Sequence, residues 1–163
     1  MKGFTLLEAL IVFAVFAVIA SFALPSFNGM LTKSQINAAV NEFQAAFFLA
    51  QKEAVRRKHR IVICSSSDGK GCDDAYANGT KMELSDGYIV FDLNSEEVIR
   101  DFPPVGGKVT MFVSKGRGVR LEFINNGRLV SNMNGANLTV ERGKYSVSLN
   151  IAATGRIQNK KRK

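Results

Sequence analysis

From Phe4 to Leu24 the chain reads FTLLEALIVFAVFAVIASFAL, twenty-one residues with a single charge at Glu8. As a helix rising ~1.5 Å per residue, this run spans roughly 30 Å, the thickness of the hydrocarbon core of a bilayer. It can cross a membrane, and nothing else in the sequence constrains the fold as strongly. A cleavable secretory signal peptide is the competing reading. Against it, the apolar stretch is long, only Met-Lys-Gly precedes it, and no small-x-small cleavage site precedes Pro25. Glu8 is out of place in either reading. A carboxylate left alone near a bilayer costs about a few kcal/mol, so it requires a named partner.

The stretch Lys2-Gly3-Phe4-Thr5-Leu6-Leu7-Glu8, followed by the apolar run and Pro25, resembles the prepilin signature of type IV pilins and type II secretion pseudopilins. The resemblance implies cleavage after Gly3 by a prepilin peptidase on the cytoplasmic side and N-methylation of the new Phe4 amine. It also implies that Glu8 pairs with the Phe4 amine of a neighbouring pilin subunit during filament assembly. A carboxylate and an ammonium buried together cost far less than either alone. The plain alternative is an anchor helix with an incidental glutamate. Lys2, the only basic residue ahead of the run, favours a cytoplasmic N-terminus. The expected location is therefore a single pass through the inner membrane with a periplasmic head, followed by a place in a pilus at the cell surface.

Cys64 and Cys72 enclose Ser-Ser-Ser-Asp-Gly-Lys-Gly, the spacing of neither a redox pair nor a zinc knuckle. An oxidising compartment permits a bridge between them, which would stabilise by roughly 2–3 kcal/mol; two free structural thiols are the alternative. With His59 as the only histidine, most metal sites and His-dependent catalytic arrangements are excluded. Ser65-Ser66-Ser67 lacks a G-x-S-x-G context and reads as a serine-rich turn. A non-enzymatic protein without a cofactor is expected. Hydrophobic residues make up 46% of the 163, with twelve Phe, enough for one folded domain and against disorder.

Beyond Pro25 and Gly29, where a kink or local melting is expected, Ile36, Val40, Phe43, Phe47, Ala50 and Ala54 recur at steps of four and three. They mark one face of an amphipathic helix running to about Lys58, with Asn37, Gln44, Gln51 and Lys58 off that face. Seven β-branched or aromatic-rich segments follow: 60–64, 88–92, 98–100, 109–113, 119–124, 138–140 and 145–151. Asn78-Gly79, Asp86-Gly87 and Asn126-Gly127 supply turns, and Pro103-Pro104 with Gly106-Gly107 supplies a longer break. The expected fold class is α+β, a long N-terminal helix on an antiparallel β-sheet head. No internal repeat is visible. The segments are a leader (1–3), a transmembrane helix (4–28), an amphipathic helix (29–58), a head (59–155) and a basic tail (156–163).

The head resembles the GspH/FimT minor pilins and pseudopilins. The resemblance is carried by Cys64 and Cys72 around Asp68-Gly69, by Gly87-Tyr88-Ile89-Val90-Phe91-Asp92, by Val98-Ile99-Arg100 and by Leu121-Glu122-Phe123 with Gly127. Ile151-Ala-Ala-Thr-Gly155-Arg156 completes the ordered set. Tyr88 stands where that family has an aromatic, often tryptophan, and keeps a core role.

The net charge of +8 is distributed unevenly. Residues 61–110 carry nine acidic and four basic side chains, and residues 111–163 carry two and eleven. In the FimT branch, a C-terminal Gly-Arg-x-Arg stretch implies DNA binding and assistance to DNA uptake. Here it reads Gly155-Arg156-Ile157-Gln158, without the second arginine, and Lys160, Lys161, Arg162 and Lys163 follow as a flexible basic tail that can supply the missing charge. Contacts from such a tail go to phosphates and carry no sequence information. Lys115, Arg117 and Arg120 extend a basic face toward it. A solvated tail, or one that touches anionic lipid, is the alternative. The basic residues near the helix end, Lys52, Arg56, Arg57, Lys58 and Arg60, read as complements to the helix dipole. The expected function is a minor type IV pilin that binds DNA in natural transformation. The alternative is a minor pseudopilin of a type II secretion system, a filament component that does not touch DNA.

Overall fold

Helix α1 runs from Leu6 to Arg57. The computed structural model describes residues 5–73, 81–114, 120–130 and 135–160, without the side chains of 22–27 and 159–160. Gly3, Phe4, Asn78-Gly79, Lys115, Arg117, Lys161, Arg162 and Lys163 lie outside the described residues. At its start, α1 is closed by a reciprocal cap: the Thr5 hydroxyl accepts from the Glu8 amide at 3.3 Å, and the Glu8 carboxylate accepts from the Thr5 amide at 3.2 Å. At its end, Lys58 takes a left-handed φ of 62°. The backbone stays helical through Pro25 and Gly29, so the local melting expected there does not occur. An interior proline removes one donor, and the turns on either side keep theirs.

The chain divides into two compact units, Met1–Ser34 and Gln35–Lys163. In the first, Leu6, Leu7, Leu10, Phe13 and Phe16 expose most of their apolar surface. Among the described residues no helix is long and apolar enough to cross a membrane.

In the second unit, every position expected on the buried helix face is buried, from Ile36 to Ala54, and Ala39 and Ala46 join them. Two antiparallel sheets share one core with this face. The first contains β1 (Ile61–Ser65), β3 (Tyr88–Asp92), β4 (Glu97–Phe102) and β6 (Leu121–Phe123) in the order β4-β3-β1-β6. The second contains β2 (Lys81–Glu83), β5 (Thr110–Ser114), β7 (Ala136–Arg142), β8 (Tyr145–Ile151) and β9 (Ile157–Lys160) in the order β2-β5-β7-β8-β9. Phe47 meets Phe123 edge-on at 4.8 Å, and Tyr88 stacks on Phe102 at 4.7 Å, so the aromatics tie helix to sheet and strand to strand. Tyr88 is buried, as its core role requires.

On the far face of the first sheet, Val62, Cys64 and Ile89 form a smaller cluster with Cys72 beside it. Cys64 and Cys72 are joined by a disulfide, and the Asp73 amide donates to the Ser65 carbonyl at 2.9 Å, so the loop returns onto the strand it left.

One expectation about the C-terminus requires correction. Residues 157–160 are not a flexible tail but the edge strand β9, in register with β8 from Ile151↔Ile157 to Ser148↔Lys160. The head therefore extends to Lys160. Ile157 packs against the core, and the open edge of β8 supplies a hydrogen-bonding partner.

Candidate nucleic-acid interface

Arg156 is exposed at the end of a tight turn that delivers the chain from β8 into β9. In that turn the Gly155 amide donates to the Ala152 carbonyl and the Ala152 amide donates to the Arg156 carbonyl, both at 2.9 Å. A second turn, after β6, is built in the same way. The Gly127 amide donates to the Ile124 carbonyl at 2.8 Å, and the Ile124 amide donates to the Arg128 carbonyl at 2.9 Å. Gly127 and Gly155 hold matching left-handed φ values of 76° and 79°. Each turn thus runs four residues to a left-handed glycine and then an arginine, the type I turn with a glycine bulge.

The two turns touch. Gln51 of α1 donates from Nε2 to the Gly127 carbonyl at 2.9 Å, and Gly155 lies against that hydrogen bond. A Cβ on Gly155 would strike the Gln51 amide and come within 3.0 Å of the Gly127 oxygen. Between the turns, the Leu129 amide donates to the Ala153 carbonyl at 3.2 Å. Arg128 is exposed as Arg156 is, and neither guanidinium has a side-chain partner among the described residues.

The basic residues at the end of α1 are arranged differently. Arg56 pairs with Glu53 at 2.6 Å; Arg57 pairs with Glu53 at 2.8 Å and Glu97 at 2.5 Å, and Arg60 pairs with Glu122. Their charge is spent inside the head, in addition to its favourable placement at the helix C-terminus. Asp92 anchors this network from a fully buried position. It accepts from His59 Nδ1 at 2.8 Å, which fixes the proton on that nitrogen, and from the Asn94 amide at 2.9 Å. Burial alone would raise its pKa; hydrogen bonds from His59 and from the Asn94 and Ser95 amides prevail and hold it at about 2. No serine hydroxyl among the described residues bonds to His59.

Of the expected DNA contacts, Arg156 is exposed on its turn, Lys160 ends β9, and Arg120 sits partly exposed ahead of β6. Lys115, Arg117, Lys161, Arg162 and Lys163 lie outside the described residues. Sequence reasoning missed Arg128 and placed Gln51 off the packing face, whereas Gln51 is the side chain that joins the two turns. The available signal was the recurrence of Gly-Arg before an apolar residue, Gly127-Arg128-Leu129 and Gly155-Arg156-Ile157. It also missed the cap in Thr5-x-x-Glu8.

An N-terminal helix whose second half packs on two antiparallel sheets is the fold of the type IV pilins. A crystal structure of the Pseudomonas aeruginosa type IV minor pilin FimU superposes with a TM-score of 0.58, covering 79% of this chain and 90% of that one at 20% identity. The chain belongs to the family described as Type II transport protein GspH, whose model matches residues 39–155. The prokaryotic N-terminal methylation motif matches residues 1–24. The Type IV major fimbrial protein FimA of Dichelobacter nodosus is 29% identical over 108 residues, covering 66% of this chain and 59% of the relative. A fimbrial protein of Pseudomonas aeruginosa is 34% identical over 87 residues, 53% of each chain. The chain thus spans between about half and three fifths of the length of these curated relatives.

Proposed function

We propose that this chain is a minor type IV pilin that enters pili through its N-terminal helix and binds DNA without sequence preference through its basic C-terminal end, in the manner of the FimT branch. In this reading it supports DNA uptake during natural transformation. Before assembly it is held in the inner membrane by residues 4–28, with its head in the periplasm. A prepilin peptidase cleaves after Gly3, Phe4 is methylated, and Glu8 pairs with the Phe4 amine of an adjoining pilin. The observation that carries the DNA reading is the exposed Arg156, without a side-chain partner among the described residues, on a turn at the entrance to the edge strand that ends at Lys160, with Lys161, Arg162 and Lys163 next in sequence. The head's other described arginine cluster, at the end of α1, is neutralised by Glu53, Glu97 and Glu122.

The test is fluorescence anisotropy of the full chain in a non-ionic detergent with a short labelled duplex. The wild type is expected to bind at low salt with a log–log salt slope near −4.5 if five phosphates are contacted. Replacing Arg156, Lys160, Lys161, Arg162 and Lys163 with Ala should abolish that binding. Unchanged binding would show the site is elsewhere. No binding by the wild type would favour the second reading, a pseudopilin of a type II secretion system, to which the family description itself points.

A further inference from the structure

We propose that Arg128 is the second arginine of the DNA contact and that the two Gly-Arg turns together form one phosphate-binding site. The inference rests on the DNA reading above and gives it a structural form. The resemblance that suggests DNA binding calls for two arginines in one Gly-Arg-x-Arg stretch, and Gln158 occupies the second of those positions. In the folded head, an arginine twenty-eight residues earlier in the chain follows the glycine of a matching turn, and that turn packs against the turn that carries Arg156.

Three observations support the pairing. The turns match in hydrogen-bond pattern and in the left-handed glycine, so Arg128 and Arg156 leave their turns from equivalent positions. Gln51 donates to one turn while the glycine of the other packs on that bond, so the two backbones are locked together and the separation of the arginine stems does not depend on a mobile tail. Both guanidiniums are exposed and lack a side-chain partner among the described residues, so neither must break an ion pair to take a phosphate. A planar guanidinium with its donors in a fixed fork suits phosphate oxygens, and two on a rigid base lose less freedom on binding than charges on a loose chain. The ligand class is a phosphodiester backbone, and duplex DNA is the committed partner.

Arg128→Ala and Arg156→Ala are compared in the full chain in a non-ionic detergent with the same labelled duplex, alongside Lys144→Ala as a control that removes one exposed cation from the β7–β8 hairpin. Arg128→Ala and Arg156→Ala are each expected to weaken binding roughly tenfold at 50 mM salt and to reduce the salt slope by about 0.9, while Lys144→Ala changes neither appreciably. Arg128→Lys should recover part of the loss. If Arg128→Ala binds like the wild type while Arg156→Ala is impaired, the paired site is wrong and the DNA reading stands. An equal loss from Lys144→Ala reduces the effect to bulk charge and overturns the site. If the wild type does not bind, both fail. Circular dichroism melting of each variant separates loss of contact from loss of fold.

Discussion

Asp92 keeps its charge while fully buried, because His59 and two turn amides solvate it in place of water. Its pKa of about 2 lies below the ordinary 3.8. A depressed carboxylate adds stability that is complete above its unfolded pKa and is lost as pH falls through the folded one. Urea unfolding followed by circular dichroism should therefore show the head losing on the order of 2 kcal/mol between about pH 4 and pH 2 from this residue. Asp92→Asn should lower stability at neutral pH by about 2 kcal/mol, since its amide cannot accept as the carboxylate does, and should flatten the acid limb. An unaltered acid limb in that variant would place the acid sensitivity elsewhere. None of this was legible in the sequence, where Asp92 was only the last residue of a strand. The Asn94 and Ser95 amides are close in sequence, but His59 is thirty-three residues away, and a contact at that separation leaves no periodic trace.

The turns around Gly127 and Gly155 are elements defined by backbone angles rather than by side chains. Gly155→Ala forces a Cβ against Gln51 and the Gly127 oxygen at a φ of 79°, and should cost about 1–3 kcal/mol in thermal unfolding. Adding Gln51→Ala removes one obstacle and leaves the backbone oxygen and the φ, so the double variant should recover only part of the loss. Strictly additive effects would mean that the glutamine does not bear on the glycine. Where side chains define an element, the sequence reading held. β3 and β8 have the bounds expected, and the helix face from Ile36 to Ala54 is buried throughout, because apolar spacing reports burial directly. β2 and β9 were missed. Lys81-Met82-Glu83 buries one side chain, and Ile157-Gln-Asn-Lys160 packs only Ile157 on the core, so each has a single apolar anchor and is defined mainly by backbone pairing. The turn at Asn126-Gly127 was expected, but its second copy at Gly155 escaped, since the two share only glycine and arginine.

For the whole molecule, the proposed pairing of Glu8 would connect the isolated chain with the filament. In the single chain its carboxylate accepts from the Thr5 amide and hydroxyl, both at 3.2 Å, so the helix start is capped before any neighbour arrives. The cap and the proposed assembly role separate by mutation. Thr5→Ala should weaken the helix start by about 1 kcal/mol yet keep the carboxylate. Glu8→Val removes the cap together with the carboxylate proposed for assembly. Processing after Gly3 should survive in each, but immunoblots of sheared pili should recover the Thr5 variant and leave most of the Glu8 variant in the membrane fraction. Normal incorporation of Glu8→Val would end the assembly proposal. Far along the chain from Glu8, β9 ends at Lys160 and, among the described residues, pairs with β8 alone at the edge of its sheet. An edge strand is the part of a head that can drift most freely in composition, since its polar positions answer to no second neighbour. Subunits with and without affinity for polyanions can thus share one architecture and differ at a few positions of one edge strand.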